Sequence, residues 1–457
     1  MAVLAALLLA ACAGPPVGIA DAPPPAPPAA WRTDIGPVAP IDRAWWAGFD
    51  DPALTALVEK ALAQNNDIAI AAGRVREARA QMTLARAALL PTVDAGVAGQ
   101  QSRSVNAFGQ AVEQTAAQPQ LQVAYEVDLF GRLGDQVSAA RSAYLASQSA
   151  RDATRLSVAA AAASGYIGLR ALDARLVVAR ETLAARTESL RIARSRADAG
   201  YSPLLELRQF EAEYQATAQI IPQIELGIAR QENAISVLVG ETPGPVGRGR
   251  ELAALAEQPI PAGLPSELLR RRPDIAAAEQ QLAAADASLA AARKRFLPQL
   301  RLSGAAGAAF STLLGDPITI WSVGGSILAP IFQGGRLTAQ AEGAGAQRDQ
   351  AAFGYRRAAL TAFREVEDGL VSARRLDEQI GIVRLQRDAL RKGLALATNR
   401  YRAGYSSYIE QLDAQRGLLA AELALVQADA DALTARVSLY QAMGGGWSAD
   451  SLVWEAP

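Results

Sequence analysis

The sequence predicts an α+β membrane protein in which amphipathic β-strands close a barrel with strands from other copies of the chain, and very long coiled-coil helices supply the rest. Three observations carry this reading. First, the chain is written twice. Ala199-Gly200-Tyr201-Ser202 recurs as Ala403-Gly404-Tyr405-Ser406, Leu90-Pro91 as Leu297-Pro298, and Asp67-Ile68 as Asp274-Ile275; Phe130-Gly131-Arg132 returns as Phe332 to Arg336 with small insertions. The spacing, about two hundred residues, is too long for a solenoid, so the duplicated unit is domain-sized. Second, within each copy the hydrophobic period changes from two to seven. Third, an apolar leader ends in the only cysteine, Cys12.

Composition removes several function classes. The chain of 457 residues carries a net charge of -1, which argues against nucleic acid as a partner. It has no histidine, so the usual general base and the commonest metal ligand are missing. A single cysteine rules out intrachain disulfides and thiolate metal clusters.

The leader reads as a signal peptide over 1–11. Its end, Leu9-Ala10-Ala11-Cys12, resembles a bacterial lipobox, in which the new N-terminal cysteine is acylated. The apolar run is too short to span a bilayer as a mature helix. The plainer alternative is a buried free thiol beside a generic leader. From 12 to 44 the chain is a lipid anchor and Pro/Ala-rich tether that cannot build a core.

Structure is expected to begin near Trp45-Trp46. Asp51-Pro52 reads as N-cap and first helical residue, with Leu54, Leu57, Val58 and Leu62 on one face. A second helix runs from about Asp67 to Leu89, ended by Pro91; Asp67, Arg74 and Glu77 on it read as a surface ion-pair set.

Period two follows. Val93, Ala95 and Val97 alternate with Thr92, Asp94 and Gly96, and Leu121, Val123, Tyr125, Val127 and Leu129 alternate with polar partners. The polar segment 102–119 between them reads as a loop. The second copy has Leu300 and Leu302, then Ile318, Ile320, Val323, Gly325 and Ile327, with a less regular alternation. Four strands are too few to close a barrel, and lipid cannot satisfy an open edge, so oligomerisation is required.

The long helices come next. No proline falls between Gly134 and Tyr201, roughly 100 Å of helix at 1.5 Å per residue. Leu169, Leu176, Leu183 and Leu190 repeat every seventh residue, which means coiled-coil packing. The return helix carries Leu207, Phe210, Tyr214, Thr217, Ile221, Ile224, Ile228, Ile235 and Leu238 at helical spacing, with Gln231 as a polar exception and Pro222 as a modest kink. Gly200 and Gly404 mark the turns between outgoing and returning helices, where glycine permits φ > 0.

The domain reading is a first repeat over 45–262, with strands at about 92–103 and 118–130 and a helical hairpin at about 134–240. The second repeat, 263–445, has strands at about 298–311 and 318–331 and a hairpin at about 336–443. A tail follows over 446–457.

Four stretches, in this order and in this duplicated frame, match a known family. They are Trp45-Trp46-Ala47-Gly48-Phe49-Asp50-Asp51-Pro52, Tyr125 to Arg132 (YEVDLFGR), Arg272-Pro273-Asp274-Ile275, and Tyr401 to Gln415 (YRAGYSSYIEQLDAQ). The chain resembles the TolC-like outer-membrane efflux factors, and within them the NodT-like lipoprotein branch, from Trp45 to Met443. The resemblance implies a homotrimer with a twelve-stranded barrel in outer-membrane lipid, four strands from each chain, and a helical barrel extending into the periplasm. It implies a duct rather than an enzyme, lipid-anchored at the outer membrane and partnered by a periplasmic adaptor and an inner-membrane pump. No cofactor is implied beyond the diacylglycerol and acyl lipid on Cys12.

The resemblance also assigns the aperture. Glu410 and Asp413, just after the second turn, would line its periplasmic end, with Glu206 as the matching acid of the first copy. Spacing alone favours a solvated helix face; the resemblance reverses that for Glu410 and Asp413. Gly200, Tyr201, Gly404 and Tyr405 are the hairpin tips and adaptor contacts; the alternative for the tyrosines is packing between helices. Phe130, Phe332 and Trp321 fit an interfacial aromatic belt or core packing. Two other functions stay open: a periplasmic adaptor lipoprotein, which would carry one hairpin rather than two, and the outer-membrane duct of a type I protein secretion system. A coiled-coil fibre would not need the strands.

Overall fold

The structure is a computed structural model that describes residues 18, 20, 26–33, 41–260 and 265–448. Cys12, where acylation is expected, lies outside the described residues. The chain divides into two compact units, the first built chiefly from Gly73–Gln148 and Ala277–Arg357, the second chiefly from Ser149–Ala276 and the chain after Arg357. The elements run α1 (Pro52–Gln64), α2 (Asn66–Ala87), β1 (Thr92–Val105), β2 (Ala111–Val127), α3 (Arg132–Asp198), α4 (Leu204–Ala218), α5 (Ile220–Leu238), α6 (Pro265–Arg271), α7 (Pro273–Lys294), β3 (Gln299–Ser311), β4 (Ile318–Leu328), α8 (Arg336–Arg402) and α9 (Tyr408–Ala442).

In the first unit the strands form one antiparallel meander in the order β1-β2-β3-β4. The expected loop over 102–119 is corrected. β1 and β2 stay paired from Thr92↔Ala124 to Val105↔Ala111, and only residues 106–110 turn. The Asn106 side chain organises that turn, its Oδ1 accepting from the amides of Phe108 and Gln110. The polar composition misled because a backbone ladder does not require an apolar face. Pro119 sits inside β2, where it cannot donate to a ladder. Gly307 stands opposite the next residue, Gln120, and a Cβ there would meet Gln120 Cα at 2.8 Å.

The last turn of β2 ends at Val127 rather than 130 because Asp128 is already spent on the next helix. Its carboxylate accepts from Leu133 N (3.0 Å) and Gly134 N (2.7 Å), capping α3. Arg132 closes back on Glu126 at 2.5 Å, and Lys294 pairs with Asp135 at 2.7 Å. The YEVDLFGR stretch is thus a strand-to-helix joint. β4 stops at Leu328, short of the expected 331, just before Pro330. On α2, Asp67, Arg74 and Glu77 make no ion pair with one another; all three face solvent.

The core of the second unit gathers Trp45, Phe49, Leu54, Val58, Tyr166, Ile167, Val437 and Tyr440. Trp45 stacks on Tyr440 with ring centroids 5.5 Å apart. Asp51 is the polar hub beneath it. It caps α1 through Ala53 N (2.8 Å), and its other oxygen accepts from the Tyr166 hydroxyl and Arg250 N, each at 2.9 Å. Burying a carboxylate this deeply demands that its lone pairs be filled, and they are. Arg272 is likewise buried, pairing with Asp274 and Glu365 at 2.7 Å and donating to Ala442 O.

The leucine stripe of α3 points inward, with Leu169 and Leu190 buried. Gln231 is explained: its Nε2 donates to Gly165 O at 2.9 Å. Pro222 does more than kink the return helix. α4 ends at Ala218 and α5 restarts at Ile220, because Pro222 has no N–H for the Ala218 carbonyl.

Candidate functional site

α3 and α8 end in the same device. The amides of Gly200 and Tyr201 donate to Ala197 O and Arg196 O; those of Gly404 and Tyr405 donate to Tyr401 O and Arg400 O. The glycines sit at φ 76° and 77°. This is the Schellman closure, and only glycine adopts its left-handed residue without strain. Tyr201 and Tyr405 are 86% and 80% exposed and pack against no helix of their own chain.

Behind the turns lies an aromatic and ionic cluster. Phe210 stacks on Tyr408 at 3.7 Å, and Tyr401 meets Tyr408 edge-on at 5.9 Å. The Tyr401 hydroxyl donates to Glu206, linking α8 to α4. Burial, reinforced by the Glu206 carboxylate, pushes Tyr401 up to about 12. Glu206 is therefore bonded to the second hairpin. Glu410 and Asp413 are exposed, Glu410 with Arg400 3.9 Å away.

One buried charge cluster went unread in the sequence. Arg186 of α3 and Glu213 of α4 pair at 2.8 Å, both nearly inaccessible. Arg186 Nη1 also donates to Glu213 O (2.7 Å) and Thr217 Oγ1 (2.5 Å), and Arg416 of α9 reaches the same carboxylate. Burial lowers the Arg186 pKa more than Glu213 restores it, whereas the hydrogen bond to Glu213 raises that of Arg416. A signal existed: Arg186 stands seven residues after Ala179 and seven before Ala193, on the inward stripe. Counted from the shared turns, the second hairpin has Leu390 and Gly417 at these positions, with Leu390 in van der Waals reach of Gly417.

In the first unit the register sorts the strands into two faces. Val93, Ala95, Val97, Leu121, Val123, Leu300, Leu302, Trp321, Val323 and Ile327 share one. Asp94, Gln100, Gln118, Gln120, Gln122, Ser303 and Ser322 share the other. Ile318 and Ile320 fall on this polar face, which accounts for the irregular alternation of the second copy. Trp321, Phe130 and Phe332 are exposed, not core. β1 and β4 each leave one edge without a partner. No described helix is long and apolar enough to cross a membrane. Among the described residues no cluster of His, Cys, Asp or Glu could hold a metal ion.

The model of the outer membrane efflux protein family matches residues 57–241 and again 264–445. The chain belongs to the outer membrane efflux protein family. Curated relatives of this efflux protein include the solvent efflux pump outer membrane protein SrpC of Pseudomonas putida, 36% identical over 88% of this chain and 87% of its own. The antibiotic efflux pump outer membrane protein ArpC, also of Pseudomonas putida, is 34% identical over 92% of this chain and 88% of its own. Among solved structures, the outer-membrane channel OprN superposes with a TM-score of 0.86 at 31% identity, covering 95% of this chain and 99% of that one. The Campylobacter jejuni CmeC outer membrane channel gives 0.86 at 25% identity, covering 95% of each. The efflux protein is thus an outer-membrane transport component rather than an enzyme.

Proposed function

We propose that three copies of this efflux protein form one duct that passes substrates across the outer membrane from a periplasmic adaptor and an inner-membrane pump. The carrying observation is the four-stranded sheet, with both edges open and one face apolar through Val93, Val97, Leu121, Val123, Val323 and Ile327, turning polar at Gln101, Arg103 and Glu113 toward the β1–β2 turn. A strand needs about 9–11 residues to cross a bilayer, and the shortest here, β4, has 11. An open edge in lipid costs several kcal/mol per unpaired backbone group, so β1 and β4 must find partners. Three copies supply twelve strands, the apolar face to lipid and the amide-rich face to the lumen. The two matches of the family model support a duplication, with α3–α5 and α8–α9 as paired hairpins of a periplasmic helical barrel. Acylation of Cys12 anchors the chain in outer-membrane lipid.

In this reading Glu410 and Asp413 ring the periplasmic aperture, and Tyr201 and Tyr405 meet the adaptor. SrpC and ArpC are named for solvent and antibiotic efflux; a tripartite exporter of small molecules fits this chain better than a protein secretion duct. Cysteines placed one at a time at Ala95, Val97 or Gly99 on β1, combined with one at Trp321, Val323 or Gly325 on β4, test it. At least one pair should oxidise to a closed, SDS-resistant trimer. Cross-linking that stays within one chain, at every pair, would overturn the barrel.

A further inference from the structure

The geometry points to a binding site for a small aryl carboxylate in a cavity of about 390 Å³ in the second unit. It lies where α3, the Trp45–Trp46 segment and the glycine run after α9 converge, and it shares no residue with the turn cluster or the sheet. Its walls combine two chemistries. Trp45, Trp46 and Trp447 supply aromatic surface. Arg43, Arg151 and Arg155 supply three guanidiniums against one lining carboxylate, Asp152, in a chain whose net charge is -1.

The cations are not equally committed. Arg151 donates twice to Asp152 Oδ1, at 2.9 and 2.7 Å, and the indole of Trp447 takes the other oxygen at 3.1 Å. That carboxylate is used up. Arg43 and Arg155 make no hydrogen bond or ion pair with any described residue. The indole N–H groups of Trp45 and Trp46 are buried without an acceptor. An anionic oxygen entering the cavity would meet the free guanidiniums of Arg43 and Arg155, and a flat ring would find aromatic walls.

The glycine run fixes the shape of this wall. A Cβ at Gly445 would approach Trp45 Nε1 to 3.2 Å, and one at Gly446 would approach Arg43 N to 2.7 Å. The backbone there is held against the two residues that give the cavity its stacking surface and its charge.

The test is tryptophan fluorescence and calorimetry on the full-length protein in non-ionic detergent, with 1-naphthoate and its neutral analogue 1-naphthalenemethanol. Naphthoate should bind saturably and at least about tenfold more tightly than the alcohol. Arg155→Gln and Arg43→Gln should each weaken naphthoate by roughly tenfold and leave the alcohol unchanged; both side chains are solvent-facing, so the fold is kept. Arg155→Lys should recover part of the loss. Equal affinity for the two probes, no saturable binding, or unchanged naphthoate affinity in both arginine variants would each overturn the site.

Discussion

Glu213→Gln is the most informative single substitution in the turn cluster. Glu213 carries two guanidiniums on one buried carboxylate: Arg186 at 2.8 Å and, from the other hairpin, Arg416. Neutralising it leaves Arg186 charged, since a guanidinium does not give up its proton. Arg186 then keeps neutral acceptors alone, the Glu213 carbonyl, the Thr217 hydroxyl and the amide oxygen the substitution supplies, with its Nε already without a partner. Breaking a buried pair by removing one charge costs about 3–5 kcal/mol, and the surviving neutral acceptors place this case near the lower end, about 3 kcal/mol. Arg416→Ala removes a half-exposed side chain and should cost about 1 kcal/mol or less. Amide hydrogen exchange across residues 183–217 reads the difference locally: about a hundredfold faster for Glu213→Gln, at most about fivefold for Arg416→Ala. The double variant Arg186→Leu with Glu213→Gly copies Leu390 and Gly417 of the second hairpin. It should exchange more slowly than Glu213→Gln, because an apolar replacement leaves no orphaned charge. Equal protection in Glu213→Gln and Arg416→Ala would refute the reasoning.

Four further outcomes are expected. Glu410→Ala with Asp413→Ala should abolish cation selectivity and divalent block in planar bilayers. Glu181→Ala should change neither, nor should Asp429→Ala, whose carboxylate is half-buried beside Arg384; unchanged selectivity in the double variant would remove these acids from the aperture. Asp51→Ala should destabilise by about 3 kcal/mol, since it removes a cap and orphans the Tyr166 hydroxyl and Arg250 N, and Tyr166→Phe by about 1 kcal/mol, both read as protection in α1. Tyr166 and Tyr401 hold their protons to about 12 when folded against 10.0 when unfolded, so the folded state binds more protons in that window and stability falls as pH rises through it; Tyr401→Phe should remove part of the loss. Cys12→Ser should leave uncleaved or mislocalised precursor, and mass spectrometry showing an unmodified Cys12 in the mature protein would exclude acylation.

What the sequence determined by itself were features whose cause is local. The N-cap at Asp51-Pro52, the αL turns at Gly200 and Gly404, the proline-free run of α3 and the start of β1 each follow from a few neighbouring residues and were read at nearly their true positions. Apolar residues at 93, 97, 121 and 123 also announced a two-faced sheet, because pleat and register put alternate residues on one side. Partners distant in sequence were another matter. Residues 102–119 looked like a loop because composition carries no information about a ladder formed with the facing strand. Arg186, Glu213 and Arg416 went unread, and Glu206 was expected only as an acid of the aperture. Only the packing of α3, α4, α8 and α9 shows Arg186 and Arg416 sharing the buried Glu213 carboxylate and Glu206 held by Tyr401. Burial turns a solvated charge into a structural commitment, and burial is a property of the neighbours a residue acquires, which its own stretch of sequence does not specify.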